Sequence, residues 1–202
     1  MTCGVSGWPK QTFSDQPQTG LPADKDAGAA QRNTLYLLRM KKLTITSTIE
    51  EYASAAELNT DDQALLAKAK EAGKHAYAPY SAFYVGAALR LANGIIVTGN
   101  NQENVAYPSG LCAERVAIFH AGATYPDQSV TALAITCSSE KFAVNRPLSP
   151  CGACRQVIAE YEKRSGKNIR IILSGESGPV YVVSSMKDLL PLSFEADELK
   201  SQ

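Results

Sequence analysis

Cys112-Ala113-Glu114 and Pro150-Cys151-Gly152-Ala153-Cys154 are the residues of this chain whose types and spacing could do chemistry. Cys151 and Cys154 are three apart, so on a helix both sulfurs leave one turn toward a common atom. Each group falls at the predicted start of a helix, where unsatisfied N–H groups and the positive end of the helix dipole favour thiolates. Three thiolates drawn from two helix starts leave a fourth position open. That is the arrangement of a catalytic zinc site, whereas structural zinc uses four protein ligands. Glu114 stands two residues beyond Cys112, poorly placed to join the coordination shell but able to reach a water at the open position. Zinc lowers the pKa of such a water from about 15.7 toward about 7, and a carboxylate beside it can take the proton and pass it on.

Three thiolates on a divalent ion leave the site one unit negative. Arg115 and Arg155 follow closely behind ligand cysteines, and one or both are expected to donate hydrogen bonds toward sulfur and temper that charge. Read alone, Cys151 and Cys154 suit a redox pair or buried thiols as well as a metal. The Cys-Ala-Glu group at a second helix start is what favours zinc. Of the five cysteines, Cys137 lies on an apolar strand face and reads as core, and Cys3 sits in the N-terminal stretch. His75 and His120, the only histidines, are not assigned as ligands.

The elements that must position these groups follow from pattern. Residues 43–49 alternate and could add an edge strand or arm. Thr60 reads as a helix N-cap with Gln63 at N3, followed by a stripe of Leu65, Leu66, Ala69, Ala72 and Ala76 that ends before Pro79. Two strands, about 83–91 and 95–98, are joined by Asn93-Gly94, a strong hairpin signal. A loop over 99–110 leads to a helix from near Cys112 to His120, with Val116, Phe119 and Ala123 on one face. A strand over 130–137, a helix from Cys151 to about Arg164 and a strand over 169–173 follow. The four residues Gly175–Gly178 before a strand at 180–183 are too few for a parallel crossover, so the last two strands should be antiparallel. A short helix near 185–190 closes the pattern. The expectation is an α/β layer sandwich on a mixed sheet of about five strands.

The chain has 202 residues, with 45% apolar and 20% charged residues, and 20 basic residues balance 20 acidic ones. A neutral chain has no field for a broad grip on nucleic acid. No uncharged apolar run approaches the length needed to span a bilayer, and no secretory signal pattern opens the sequence. An odd cysteine count without such a signal argues against a disulfide scaffold and for a reducing, cytoplasmic setting. Residues 1–34 are polar and nearly free of branched aliphatics, which predicts a disordered tail. Met40 looks like a natural start, so the expected division is an extension over 1–39 and a catalytic domain over 40–202.

The motifs, taken together, resemble the cytidine deaminase family, specifically its small, three-cysteine, homotetrameric type. The resemblance rests on Tyr77-Ala78-Pro79-Tyr80-Ser81-Ala82-Phe83, Val85-Gly86-Ala87-Ala88, Asn101-Gln102-Glu103-Asn104 and Tyr107-Pro108-Ser109-Gly110-Leu111-Cys112-Ala113-Glu114-Arg115. It continues through Pro150-Cys151-Gly152-Ala153-Cys154-Arg155-Gln156 and Leu189-Leu190-Pro191-Leu192-Ser193-Phe194, in that order, over roughly residues 60–195. It implies a three-layer cytidine-deaminase-like sandwich and one zinc per subunit on Cys112, Cys151 and Cys154. It implies Glu114 as proton shuttle, Asn101 and Glu103 on the ribose hydroxyls, Phe83 against the pyrimidine ring, and Ala113 as a further substrate contact. The implied reaction is hydrolytic deamination of cytidine and 2′-deoxycytidine to uridine and deoxyuridine plus ammonia, in pyrimidine salvage. The implied partners are a small nucleoside and other copies of the chain in a homotetramer, with Phe194 a candidate contributor to a neighbour's pocket; nucleic acid and membrane are not expected. Gln102 stands where family members often carry an aliphatic residue, and Leu192 where an aromatic is common.

Three other readings compete. A deaminase of nucleotides or of bases in a polynucleotide often carries His-x-Glu at the first ligand, which is Cys-Ala-Glu here. A zinc-stabilised binding module would not need Glu114 or the Asn101–Glu103 loop. A thiol redox protein would use Cys151 and Cys154 without metal.

Overall fold

Leu65, Leu66 and Ala69 recur at helical spacing, and in the computed structural model they are the buried face of helix α1, Thr60–Gly73. The described residues are 41–195. The chain divides into a unit at Met1–Thr44, of which only residues 41–44 are described, and a unit beginning at Ile45. The expected tail over 1–39 therefore lies outside the described residues. The cap of α1 is Asn59 rather than Thr60: its Oδ1 accepts from the Asp62 N–H at 2.9 Å. Gln63 donates its side-chain amide to the Leu58 carbonyl at 2.7 Å instead of completing a capping box. Helix α1 stops at Gly73, earlier than the alanine stripe suggests.

Strands β2, Phe83–Leu91, and β3, Ile96–Asn100, form the expected hairpin. Gly94 takes a φ of 85°, a left-handed value that glycine adopts without steric cost. Strand β4 spans Val130–Ser139, β5 Arg170–Ser174 and β6 Val180–Val183. Strands β4 and β5 are parallel, and β5 and β6 are antiparallel as the four-residue connection requires.

The sheet has six strands rather than five, in the order β1-β6-β5-β4-β2-β3. The additional strand, β1, is Glu50–Tyr52, paired antiparallel with β6. It begins just after the alternating stretch 43–49, which forms no strand. An edge strand buries little, so its pairing is set by backbone hydrogen bonds rather than by an apolar pattern. Only Tyr52 of this strand is partly buried, against the α1 side of the sheet.

Alternate residues of the central strands feed two cores. Ala88, Ala132, Ala134, Ile172 and Val182 meet Leu65, Leu66 and Ala69 of α1 on one face. Leu89, Leu133, Ile135, Ile171 and Leu173 meet Ala117, Ile118 and Ile158 on the other. These last belong to helices α2, Ala113–Thr124, and α3, Gly152–Ser165. The result is the expected three-layer sandwich. One expected face is corrected: α2 buries Ala113, Glu114, Ala117, Ile118 and Ala121, while Phe119 is 45% exposed and Ala123 is exposed.

Close backbone approach sets where α2 sits. A Cβ at Gly99 on β3 would lie 2.5 Å from the Ala117 nitrogen and 2.7 Å from the Ala113 carbonyl oxygen, so only glycine lets the first turns of α2 rest on this strand. Helix α3 is tied to the segment after β6. Glu162, 7% exposed, accepts from the backbone N–H of Ile169 at 2.7 Å and of Met186 at 2.9 Å, and from the Ser185 hydroxyl at 2.9 Å. A buried carboxylate with three donors is satisfied without a cation. The expected helix near 185–190 is a single 3-10 turn, Met186–Asp188.

Candidate metal centre and active site

Cys112 is the N-cap of α2 and Cys151 the N-cap of α3, with Cys154 one turn further on. Neither cap cysteine makes a side-chain capping bond, so each sulfur is free to face the other helix. The Cys112 and Cys151 Sγ atoms are 3.8 Å apart, those of Cys151 and Cys154 3.4 Å apart, and all three lie within 4.8 Å of one another. Zn–S bonds of about 2.3 Å at tetrahedral angles put sulfurs about 3.8 Å apart. The three sulfurs therefore fit zinc as they stand, and among the described residues they are the group of three or more Cys, His, Asp or Glu that could share an ion. Cys137, on β4, is buried in the core facing α2 and α3, where burial pushes its thiol up to about 11.

Two thiols of the cluster are shifted in opposite directions. The hydrogen bond from Cys154, reinforced by Arg115, brings the Cys112 thiol down to about 5, while the same shared proton holds Cys154 far above its ordinary value. Arg115 donates from Nη2 toward Cys112 Sγ at 3.9 Å. Arg155 does not reach sulfur. Its Nε donates to the Pro150 carbonyl and its Nη1 to the Leu189 carbonyl, both at 2.8 Å, fixing the start of α3 against the C-terminal segment.

Glu114 is 4% exposed and lines the same cleft as Cys112 and Cys151. Burial raises its carboxyl above the usual range, with the Cys112 charge adding to the shift. A carboxyl poised nearer neutrality is suited to both taking and returning a proton.

The cleft has a volume of about 730 Å³, room for a nucleoside-sized molecule. Phe83, Asn101 and Glu103 line it together with Cys112, Glu114 and Cys151, so the chain brings seven of the eight sequence-assigned residues to one place. Ala113, the eighth, is wholly buried at the first turn of α2, between Cys112 and Glu114. Asn101 and Glu103 also brace the backbone around Phe83. Asn101 Oδ1 accepts from the Val85 N–H at 2.7 Å and its Nδ2 donates to the Phe83 carbonyl at 2.9 Å. Glu103 Oε2 accepts from the N–H groups of Tyr80 at 2.9 Å and Ser81 at 3.3 Å. Hydrogen bonding from Ser81, side chain first, lowers its carboxyl below the usual range. Phe142, from the loop after β4, stacks on Phe83 and was not singled out by any sequence pattern, since it lies in an irregular stretch.

Residues 59–166 match the family model described as the cytidine and deoxycytidylate deaminase zinc-binding region. The chain belongs to this deaminase family. The deaminase is similar to the cytidine deaminase of Sporosarcina psychrophila, 42% identical over 139 residues that cover 69% of this chain and 95% of that one. It is 37% identical to the cytidine deaminase of Halalkalibacterium halodurans over 141 residues, 69% of this chain and 98% of that one. Among solved structures it resembles cytidine deaminase from Burkholderia pseudomallei, with a TM-score of 0.56, 41% identity, and coverage of 65% of this chain and 97% of that one. The crystal structure of cytidine deaminase from Mycobacterium tuberculosis aligns with a TM-score of 0.52 and 33% identity, covering 68% of this chain and all of that one. Each of these relatives is matched over 95% or more of its own length. Among its described residues no helix is long and apolar enough to cross a membrane.

Proposed function

We propose that this deaminase hydrolyses cytidine and 2′-deoxycytidine to uridine and deoxyuridine, releasing ammonia, and serves pyrimidine salvage with one zinc per subunit. The observation that carries the reading is the set of three sulfurs at zinc-binding separations beside a buried Glu114 that faces the same cleft. Cys112, Cys151 and Cys154 would hold the ion. Zinc held there would supply an acidified water as the nucleophile for C4 of the pyrimidine. Glu114 would take one proton of that water and deliver it to ring N3, then take the proton of the new C4 hydroxyl and give it to the amine, so that the C4–N bond breaks as the C4 carbonyl forms and ammonia leaves. Arg115 donates toward Cys112 and offsets the negative charge of three thiolates. Phe83 packs on the pyrimidine, Ala113 adjoins the acid at the first turn of α2, and the Glu103 carboxyl and the Asn101 amide meet ribose hydroxyls.

Other copies of this chain are the proposed partners, in a homotetramer. Phe119, Tyr107, Leu192 and Phe194 are 45%, 77%, 80% and 73% exposed, a large apolar area for a lone subunit. A reducing cytoplasm suits a site that depends on free thiols. A single ammonia-release assay offering cytidine, dCMP and a cytosine-containing oligonucleotide, with and without a zinc chelator, tests the reading. Preferred turnover of cytidine, abolished by the chelator, is expected. Turnover confined to dCMP or to the oligonucleotide, or unaffected by metal removal, would overturn it.

A further inference from the structure

Ala82, immediately before Phe83, has a φ of 53°, a left-handed conformation that is strained for a residue with a Cβ. Such a residue keeps this conformation only where its surroundings impose it. The surroundings are the turn that follows β4. The Ala82 carbonyl accepts from the Glu140 N–H at 3.2 Å and from the Ser139 hydroxyl at 3.2 Å. The Ser139 oxygen in turn accepts from the Lys141 N–H at 3.1 Å, which orients its hydroxyl toward Ala82. Tyr84 donates its hydroxyl to Glu140 at 2.8 Å, on the other side of Phe83. Phe142, the next residue of this turn, lays its ring against Phe83 with centroids 6.1 Å apart and planes inclined by 25°. Its ring is more than half exposed, so it contributes little to the core. An exposed aromatic stacked on a cleft-lining aromatic, at the end of a turn that clamps the strained neighbour, fixes the plane of that cleft-lining ring.

We propose that Phe142 is a positioning residue for the base, setting the orientation of Phe83 from behind through the Ser139–Phe142 turn. The inference rests on the reading of Phe83 as the wall against the pyrimidine. A pre-oriented ring spares the ordering that binding would otherwise require, so its effect falls on substrate affinity rather than on the proton transfers.

The test is steady-state deamination of cytidine by the zinc-loaded protein carrying Phe142→Ala, Phe142→Tyr, Phe83→Ala and the double substitution, with zinc content and thermal melting recorded for each. Aromatic pairs of this kind are worth a factor of about three to ten. Phe142→Ala is expected to raise KM by about that factor with kcat and zinc content unchanged. Phe142→Tyr, which keeps the stack, should stay within about twofold of wild type. In the Phe83→Ala background, Phe142→Ala should have no further effect. A KM unmoved by Phe142→Ala, the same rise with and without Phe83, or a joint fall of kcat and zinc content would each overturn the proposal. If Phe83→Ala itself leaves KM unchanged, the fault lies in the reading of Phe83 as the base wall; if it raises KM while Phe142→Ala does not, only the role given to Phe142 fails.

Discussion

Arg115 and Arg155 each lie within four residues of a cysteine of the three-sulfur cluster, yet only Arg115 reaches sulfur. The difference comes from where each helix turn points. Arg115 leaves the first turn of α2 toward Cys112, while Arg155 is claimed by the carbonyls of Pro150 and Leu189. Residue types and spacing singled out both arginines, but only the neighbouring chain decides which is taken. The three clustered cysteines are more legible, because a helix start is a local feature and the sulfur separation of a Cys-x-x-Cys turn is local too. Cys151→Ala should lose zinc and, with it, stability: for a ligand held well above its dissociation constant the loss is about 4 kcal/mol, or on the order of 10 °C in melting temperature. Cys137→Ala, in the core, should keep full metal content. Metal analysis and melting of the two variants check this, and a Cys151→Ala protein with stoichiometric zinc would contradict the ligand assignment.

At the scale of elements, α2 is placed by Gly99 as much as by its own apolar face. An added methyl group there would meet backbone atoms of Ala113 and Ala117, which cannot rotate aside. Gly99→Ala should therefore push α2 off β3 and cost about 1–3 kcal/mol. The shift also moves Cys112 and Glu114, and a displacement of about 1 Å at a reacting group can cost on the order of 10²-fold in rate. Denaturant melts and kcat measured on one preparation test the coupling; a variant as active and stable as wild type would show that α2 is held elsewhere. The hairpin, the two later helices and the antiparallel last strands could be read from the sequence because turn chemistry and connection length constrain them. Strand β1 could not. Glu50-Glu51-Tyr52 carries no apolar alternation, and its pairing with β6 is supported by Tyr52 packing and by the ion pair of Glu50 with Arg170 at 3.9 Å.

For the whole molecule, the misassigned face of α2 is informative. Val116, Phe119 and Ala123 form an apolar stripe at helical spacing, which periodicity alone assigns to a core. The sheet takes the adjacent stripe of Ala113, Ala117 and Ala121, whose small side chains allow close packing. Phe119 is left outward, suited to a surface that a second copy covers. Phe119→Glu should lower the mass seen in sedimentation from about four chains to fewer, with zinc content kept. A wild-type protein that sediments as one chain, or a variant of unchanged mass, would contradict the proposed assembly.

In the proposed site, three sulfurs hold zinc while Glu114 manages the water beside it. Ammonia release from cytidine by wild type and by Glu114→Gln, compared at equal measured zinc content, tests it most directly. A loss of at least about 10²–10⁴-fold in kcat is expected for the variant, with zinc retained at one per chain. Near-normal turnover by zinc-loaded Glu114→Gln would contradict it.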